Sequence, residues 1–243
     1  MKKSNIKEFL LDIFFPRFCL GCNKEGTYLC GDCKAVLDIS ENQYCLCDKN
    51  PLRIPSNENK GKCQKCSGKA LAGLYSALPY KEKPLTRKLI HFFKYEPFLA
   101  KDLSQTLAEL IIDHLRLLGK NLGSLKENSI LIPVPADIKK TKRRGYNPPE
   151  ALAKKLSEKL GIPCVFGNLM KIKKTLPQME LPKEAREQNL KNAFAIKNPA
   201  EFNGKKVFLI DDVYTTGSTM EECAKVLRLA GAKEVWGMVI ARG

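Results

Sequence analysis

The chain has 243 residues, 44% of them hydrophobic and 28% charged, with a formal net charge of +16. That length suits one large domain, or a core domain with a small appendage. The composition excludes a disordered chain, and the sequence holds no apolar run near the ~20 residues that cross a bilayer, so a soluble globular protein is expected.

The opening segment has a basic start, but Glu8 and Asp12 interrupt its apolar stretch and no small-residue cleavage site follows. A secretory signal is therefore not expected, and the cytoplasm is the expected location. Asn5 followed by Glu8 reads as a helix start, with Phe9, Leu10, Ile13 and Phe14 as an apolar face and Pro16 as the stop.

Eight of the ten cysteines follow, between residues 19 and 66. Periodicity there is poor, residues 48–62 read as a polar loop, and burial alone would not fold so small a segment. Cys19-x2-Cys22-x7-Cys30-x2-Cys33 supplies four thiolates on two tight turns, which suits one tetrahedral zinc. Cys45-x-Cys47-x15-Cys63-x2-Cys66 repeats the offer. In a reducing compartment paired cysteines more often hold metal than form disulfides. Two structural zinc ions are expected, each bound by consecutive cysteines, with an interleaved arrangement as the alternative. All four positions of each set come from protein, so the role is folding rather than hydrolysis.

After Ser67 strand and helix signals alternate. AGLYSALPY reads as a strand, and Leu103, Leu107, Leu110, Ile111, His114, Leu115 and Leu118 share one helical face. SILIPVP (129–135) is a short buried strand, 149–160 a helix that Pro148 begins, and Ile162 to Phe166 another strand. KVFLI (206–210) is an apolar strand, Ser218 caps a helix that Gly231 ends, and EVWGMVI forms the last strand. Alternation of this kind predicts an α/β fold, a parallel sheet with helices on both faces. A boundary near residue 70 is expected, with residues 1–70 as helix and Cys-rich appendage and residues 71–243 as the sheet domain. Cys164 and Cys223 read as buried thiols, Trp236 as core, and His91 and His114 as packing or surface residues without partners for catalysis.

Residues 136–206 carry 17 basic and 7 acidic side chains, ten of the sixteen excess charges. That concentration predicts a positive potential suited to phosphates. Lys139, Lys140, Lys142, Arg143 and Arg144 follow a strand, at the sheet edge where doubly wound folds bind ligands. Arginine contacts phosphate bidentately, and Tyr146 beside them is placed to stack on a base; a solvated loop is the alternative. Residues 170–194 hold two X-Pro steps and weak periodicity, and read as a lid that brings Lys173, Lys174 and Arg186 over a leaving pyrophosphate, or as a surface loop. Lys88 and Lys94 are candidates to face the same anion.

The most informative string is KKVFLIDDVYTTGSTMEECAKVL. It places Asp211 and Asp212 at a strand's end, then Thr215, Thr216, Gly217, Ser218 and Thr219 before a helix. Hydroxyls, approachable backbone amides and the helix's positive end suit a monoester phosphate, and the carboxylates can accept from a vicinal diol. Successive strand residues point to opposite faces, so both carboxylates reach one ribose only if the pleat ends there. Neither a Walker loop (GxxxxGK followed by Ser or Thr) nor GxGxxG is present.

VFLIDDVYTTGST resembles the ribose-5-phosphate signature of type I phosphoribosyltransferases. With the paired cysteines in front and LIHFFKY, PVP, RRGYN, TLPQ and REQN between, the whole chain resembles the ComF (ComFC, competence protein F) family. The resemblance implies a double zinc ribbon and a phosphoribosyltransferase domain. That domain would bind phosphoribosyl pyrophosphate with Mg2+ through Asp211 to Thr219, including Val213 and Tyr214, and through Arg143 and Arg144. It also implies a role in bringing single-stranded DNA into the cytoplasm during natural transformation, with a competence helicase or other uptake proteins as partners. The chain departs from the family's RGFNQ-like segment, reading Arg144-Gly145-Tyr146-Asn147-Pro148. Two alternatives stand beside transfer onto a base with Asp211 and Asp212 as catalytic residues. One is a ligand-sensing DNA-binding factor without turnover, and the other is a transferase of nucleotide salvage.

Overall fold

The computed structural model describes residues 16–55, 61–81, 83–173 and 189–243, apart from the side chains of 97–101 and 138–140. The expected N-terminal helix, and Lys174 and Arg186 of the expected lid, lie outside the described residues.

The Cys-rich segment carries a five-residue helix, α1 (Gly31–Ala35), and a two-stranded ribbon of β1 (Gln43–Tyr44) and β2 (Arg53–Ile54). Four strands then build the main sheet: β3 (Gly73–Pro79), β4 (Ser129–Pro133), β7 (Lys206–Tyr214) and β8 (Glu234–Arg242), in the order β3-β8-β7-β4. All three pairings are parallel. Between them run α2 (Pro84–Tyr95), α3 (Pro97–Leu117), α4 (Ile138–Arg144), α5 (Pro148–Leu160) and α6 (Ser218–Leu229). Two short strands, β5 (Leu169–Lys171) and β6 (Phe194–Ile196), pair antiparallel as a separate hairpin.

Two cores lie on opposite sides of the sheet, as the period-2 alternation of side chains requires. Tyr75, Leu131, Phe208, Ile210, Trp236 and Met238 face a core completed by α2, α3 and α5. Leu74, Ile130, Ile132, Leu209, Val235 and Val239 face a second core completed by α6 through Met220, Cys223 and Leu227. The Cys-rich segment contributes to both: Leu20, Tyr28 and Leu29 enter the first, and Cys45, Leu46, Ile54 and Cys66 the second. Among the described residues, no helix is long and apolar enough to cross a membrane.

Several expectations are corrected. Ile162 to Phe166 is not a strand; it makes one bridge, Cys164 to Leu131. Leu131 donates to the Pro163 carbonyl at 2.8 Å and accepts from the Val165 amide at 2.9 Å. Pro163 has no N–H to extend the ladder. Ser218 is the first helical residue of α6, and Gly217 is its N-cap. Cys164 is only half-buried, whereas Cys223 is buried. The segment Lys139 to Arg144 is helical rather than a loop.

The apolar alternation also explains the fate of the isolated polar groups. His114 is buried against Tyr75, and its Nδ1 donates to the Ser40 carbonyl at 2.5 Å. Burial holds its pKa below the ordinary histidine value, so it serves as a neutral strut between α3 and the Cys-rich segment.

Gly73 marks the tightest point of the sheet. A Cβ there would lie 2.2 Å from the Trp236 ring, which stacks on Tyr75 at 5.1 Å between centroids. Gly73→Ala is therefore expected to destabilise the fold by about 1–3 kcal/mol, measured by denaturant unfolding at constant zinc.

Candidate functional site

The carboxyl end of β7 carries the candidate site. Its strand does not stop at Ile210 but runs through both acidic residues to Tyr214. Asp211 and Asp212 therefore alternate across the sheet instead of converging, and the condition for both to meet one ribose within a regular pleat is not met. Asp212 is buried on the face of α2, where its Oδ1 lies 2.8 Å from Lys94 Nζ. Burial opposes the charge on Lys94, but the Asp212 carboxylate outweighs it and holds the amine above the ordinary lysine value. Asp211 is half-buried on the other face, and its Oδ1 accepts from the Asp212 amide at 2.8 Å. Burial and then the neighbouring Asp212 charge push its carboxyl above the usual carboxylate range.

Residues 215–217 turn the chain into α6. Gly217 has φ +79, and a Cβ there would sit 2.2 Å from the Tyr214 hydroxyl. Only glycine meets both conditions without displacing Tyr214. Thr216 Oγ1 and Ser218 Oγ lie 3.0 Å apart, and Thr215 is exposed at the mouth of the turn. Hydroxyls, a left-handed glycine and the start of a 12-residue helix are the elements from which an anion cradle is built. Val213 is half-buried. The Tyr214 ring lies under the turn rather than toward its open side, and its hydroxyl donates to the Leu46 carbonyl at 3.1 Å.

The basic segment approaches the same edge from α4. Lys142 and Arg143 are exposed, and Lys173 is exposed beyond β5. The Arg144 guanidinium lies 4.8 Å from the centre of the Tyr95 ring, and its Nε is buried without a partner. Tyr146 is half-buried with its ring edge-on to Phe93 at 6.4 Å, so it packs on the core instead of presenting a free stacking platform. The Tyr146 hydroxyl and Asn147 Oδ1 are likewise buried without partners among the described residues. Three unsatisfied polar atoms within four residues are a cost that a polar ligand at this edge would relieve. Lys88 is exposed on α2. Lys94 is the residue whose role the sequence left least defined, since its tie to Asp212 depends on where α2 ends against the sheet.

Each cysteine set forms its own cluster, Cys19, Cys22, Cys30 and Cys33 in one and Cys45, Cys47, Cys63 and Cys66 in the other, with ligand atoms within 4.8 Å of one another. The consecutive arrangement is thus the one adopted. Sulfur pairs at 3.6 Å (Cys22–Cys30, Cys47–Cys63) and 3.7 Å (Cys63–Cys66) fit four ligands around one ion, since sulfurs about 2.3 Å from zinc lie ~3.8 Å apart. Backbone amides point at the sulfurs: Cys30 to Cys19 Sγ at 3.4 Å, Leu52 to Cys45 Sγ at 3.1 Å and Cys63 to Cys66 Sγ at 3.2 Å. Burial resists ionisation of Cys19, but the amides of Cys30, Cys22 and Gly21 win and draw its thiol down to about 6. Its neighbour Cys33 is pushed up to about 12, first by its hydrogen bonds to Cys19 and Cys22. Crowded thiolates of this kind are stabilised by a shared cation.

A family model described as phosphoribosyl transferase domain matches residues 143–243. Competence protein F of Haemophilus influenzae is 35% identical over 228 residues, covering 88% of this chain and 97% of its own. The chain belongs to the competence protein F family. Its wider relatives include the DNA utilization protein YhgH of Salmonella typhimurium, 26% identical over 225 residues, 86% of this chain and 95% of that protein. The phosphoribosylpyrophosphate synthetase structure from Mycobacterium smegmatis is a distant likeness, with a TM-score of 0.31 and 16% identity over 70% of this chain and 64% of that one. Membership of the competence protein F family accounts for the pairing of a Cys-rich segment with a parallel-sheet phosphoribosyltransferase fold.

Elemental analysis of the purified chain is expected to find close to two zinc ions, falling to one in Cys47→Ser; a zinc-free wild-type protein would remove the metal reading. Gly217→Ala is expected to retain both ions yet displace Tyr214, seen as a change in tyrosine absorbance and in the amide spectrum of the turn.

Proposed function

We propose that this chain acts in competence, binding phosphoribosyl pyrophosphate at the carboxyl end of β7 and handling single-stranded DNA at the same edge; the phosphoribosyl transferase family model and relatives named for competence and DNA utilization support this reading. The observation that carries this reading is the turn at 215–219. Its left-handed glycine, paired hydroxyls and helix start suit a 5-phosphate, and carboxylates precede it on the strand. Asp211 accepts from the sugar hydroxyls, and Asp212, which points to the opposite face, joins it only if the pleat gives way at 211–212 and its carboxylate turns from Lys94 or shares it. The freed Lys94, with Arg143 and Arg144, faces the pyrophosphate. Mg2+, which favours carboxylate and phosphate oxygens, would supply charge neutralisation on the pyrophosphate.

For transfer, the carboxylates favour positive character on the sugar while the basic side chains accept the charge of the leaving group, without a protein nucleophile. A second reading, ligand sensing without turnover, is supported by the exposed Lys142 and Arg143 on α4, which suit a DNA backbone. Pyrophosphate release measured across a panel of bases, with and without single-stranded DNA, separates the two. Release with one acceptor identifies the enzyme, and salt-sensitive DNA binding without release identifies the factor.

Changing both Asp211 and Asp212 to Asn is expected to lower affinity for phosphoribosyl pyrophosphate with Mg2+ by at least about tenfold in calorimetry, a loss of ~1.4 kcal/mol. Unchanged affinity would move the site. The pH dependence has a definite sign. The folded chain keeps Asp211 protonated above the ordinary carboxylate range, and the carboxylate is the form that accepts from the sugar hydroxyls. Affinity should therefore rise with pH through the neutral range, and Asp211→Asn should flatten that rise. The same raised value means that Asp211 contributes stability at low pH that is lost as the pH climbs through its folded-state pKa.

A further inference from the structure

The turn at 215–219 is gripped at both of its ends by the second cysteine set. On the strand side, Tyr214 donates to the Leu46 carbonyl, and its register partner Arg242 donates to the carbonyls of Cys45, at 2.6 Å, and Cys47. The Arg242 guanidinium also lies 5.4 Å from the centre of the Tyr214 ring. On the helix side, Glu221 accepts from the amides of Ala70, at 2.6 Å, and Leu71, at 3.2 Å. Those amides follow Cys66, and the three carbonyls belong to the Cys45-x-Cys47 knuckle. Leu46 is anchored in the second core, but the Cys45 and Cys47 sulfurs are crowded against those of Cys63 and Cys66, and a shared metal is what holds them, and the carbonyls between them, in one fixed fan. Gly217 rests directly over the hydroxyl so held. The first cysteine set sits elsewhere: Cys33 packs on the first core, as does Leu85 of α2, and Lys34 pairs with Asp113 of α3 at 2.7 Å.

We propose that the Cys45, Cys47, Cys63 and Cys66 site positions the phosphate-binding turn through Tyr214, Arg242 and Glu221, so that metal occupancy of this one site and phosphoribosyl binding are coupled. The three are positioning residues: they act on the turn, and the turn acts on the ligand. The ligand half of the statement rests on the function proposed above, whereas the effect of the metal on the turn does not. Coupling between two sites is reciprocal, so zinc loss weakens the ligand by the same factor by which the ligand tightens zinc, typically ~5- to 150-fold.

The test uses the full chain. Amide hydrogen exchange at 215–219, without ligand, is expected to accelerate in Cys47→Ser and to stay at the wild-type rate in Cys22→Ser, which empties the first site. Unchanged exchange in Cys47→Ser, or equal acceleration in Cys22→Ser, overturns the proposal. Should Cys47→Ser fail to fold, Tyr214→Phe decides. It keeps the ring and is expected to keep both zinc ions, yet should show faster exchange at the turn, and wild-type exchange there would overturn the proposal.

Zinc release to a chromogenic chelator gives the reciprocal reading. Phosphoribosyl pyrophosphate with Mg2+ should slow release of one of two ions, at least about fivefold, and lose that effect in Tyr214→Phe. Ligand that binds without slowing release overturns the coupling. Ligand that does not bind at all overturns the function proposed above, and the exchange measurement still decides how the metal acts on the turn.

Discussion

Lys206–Tyr214 and Glu234–Arg242 pair in parallel register at the centre of the sheet, and what happens at the edge follows from that pairing. The register sets Tyr214 beside Arg242, and both side chains reach the knuckle carbonyls from there. The same strand carries Asp211 and Asp212 out of the apolar core, one to each face. A parallel sheet of this kind needs cover on both sides, which α2, α3 and α5 give to one face and α6 to the other. The Cys-rich segment then completes both cores instead of standing apart as an appendage.

The edge is electrostatically tense before anything binds. Of two adjacent carboxylates, Asp212 pairs with the half-buried Lys94, and Asp211 on the other face keeps its proton above the usual carboxylate range. Three polar atoms of Arg144, Tyr146 and Asn147 are buried without hydrogen bonds nearby in sequence. Arrangements that leave charges and donors partly satisfied cost stability in a resting protein. Three of the five such atoms among the described residues lie here, beside the turn that leads into α6.

Much of this was legible in the residues. Alternating apolar runs declared the parallel sheet, the cysteine spacing declared two four-thiolate clusters, and Gly217 between hydroxyl residues declared the turn. What escaped was decided by contacts distant in sequence. Nothing local to Asp212 signals Lys94, 118 positions earlier, and nothing in VYTTGST reveals that its tyrosine hydroxyl faces Leu46, 168 positions away. The strand read at Ile162 to Phe166 failed for a local reason, a proline in its second position. Tyr146 looked like a stacking platform because its neighbours are basic, but Phe93 on α2 claims its ring.

The sheet order β3-β8-β7-β4 has a consequence for biosynthesis. Because β8 separates β3 from β7, β3, the first of the four main-sheet strands in chain order, waits for β8, the fourth, before it gains its neighbour. Until then β3 emerges from the ribosome with both edges unpaired and apolar residues exposed on both faces. Early metal capture by the cysteines would shorten that exposure, giving the ion a part in protecting the nascent chain from aggregation.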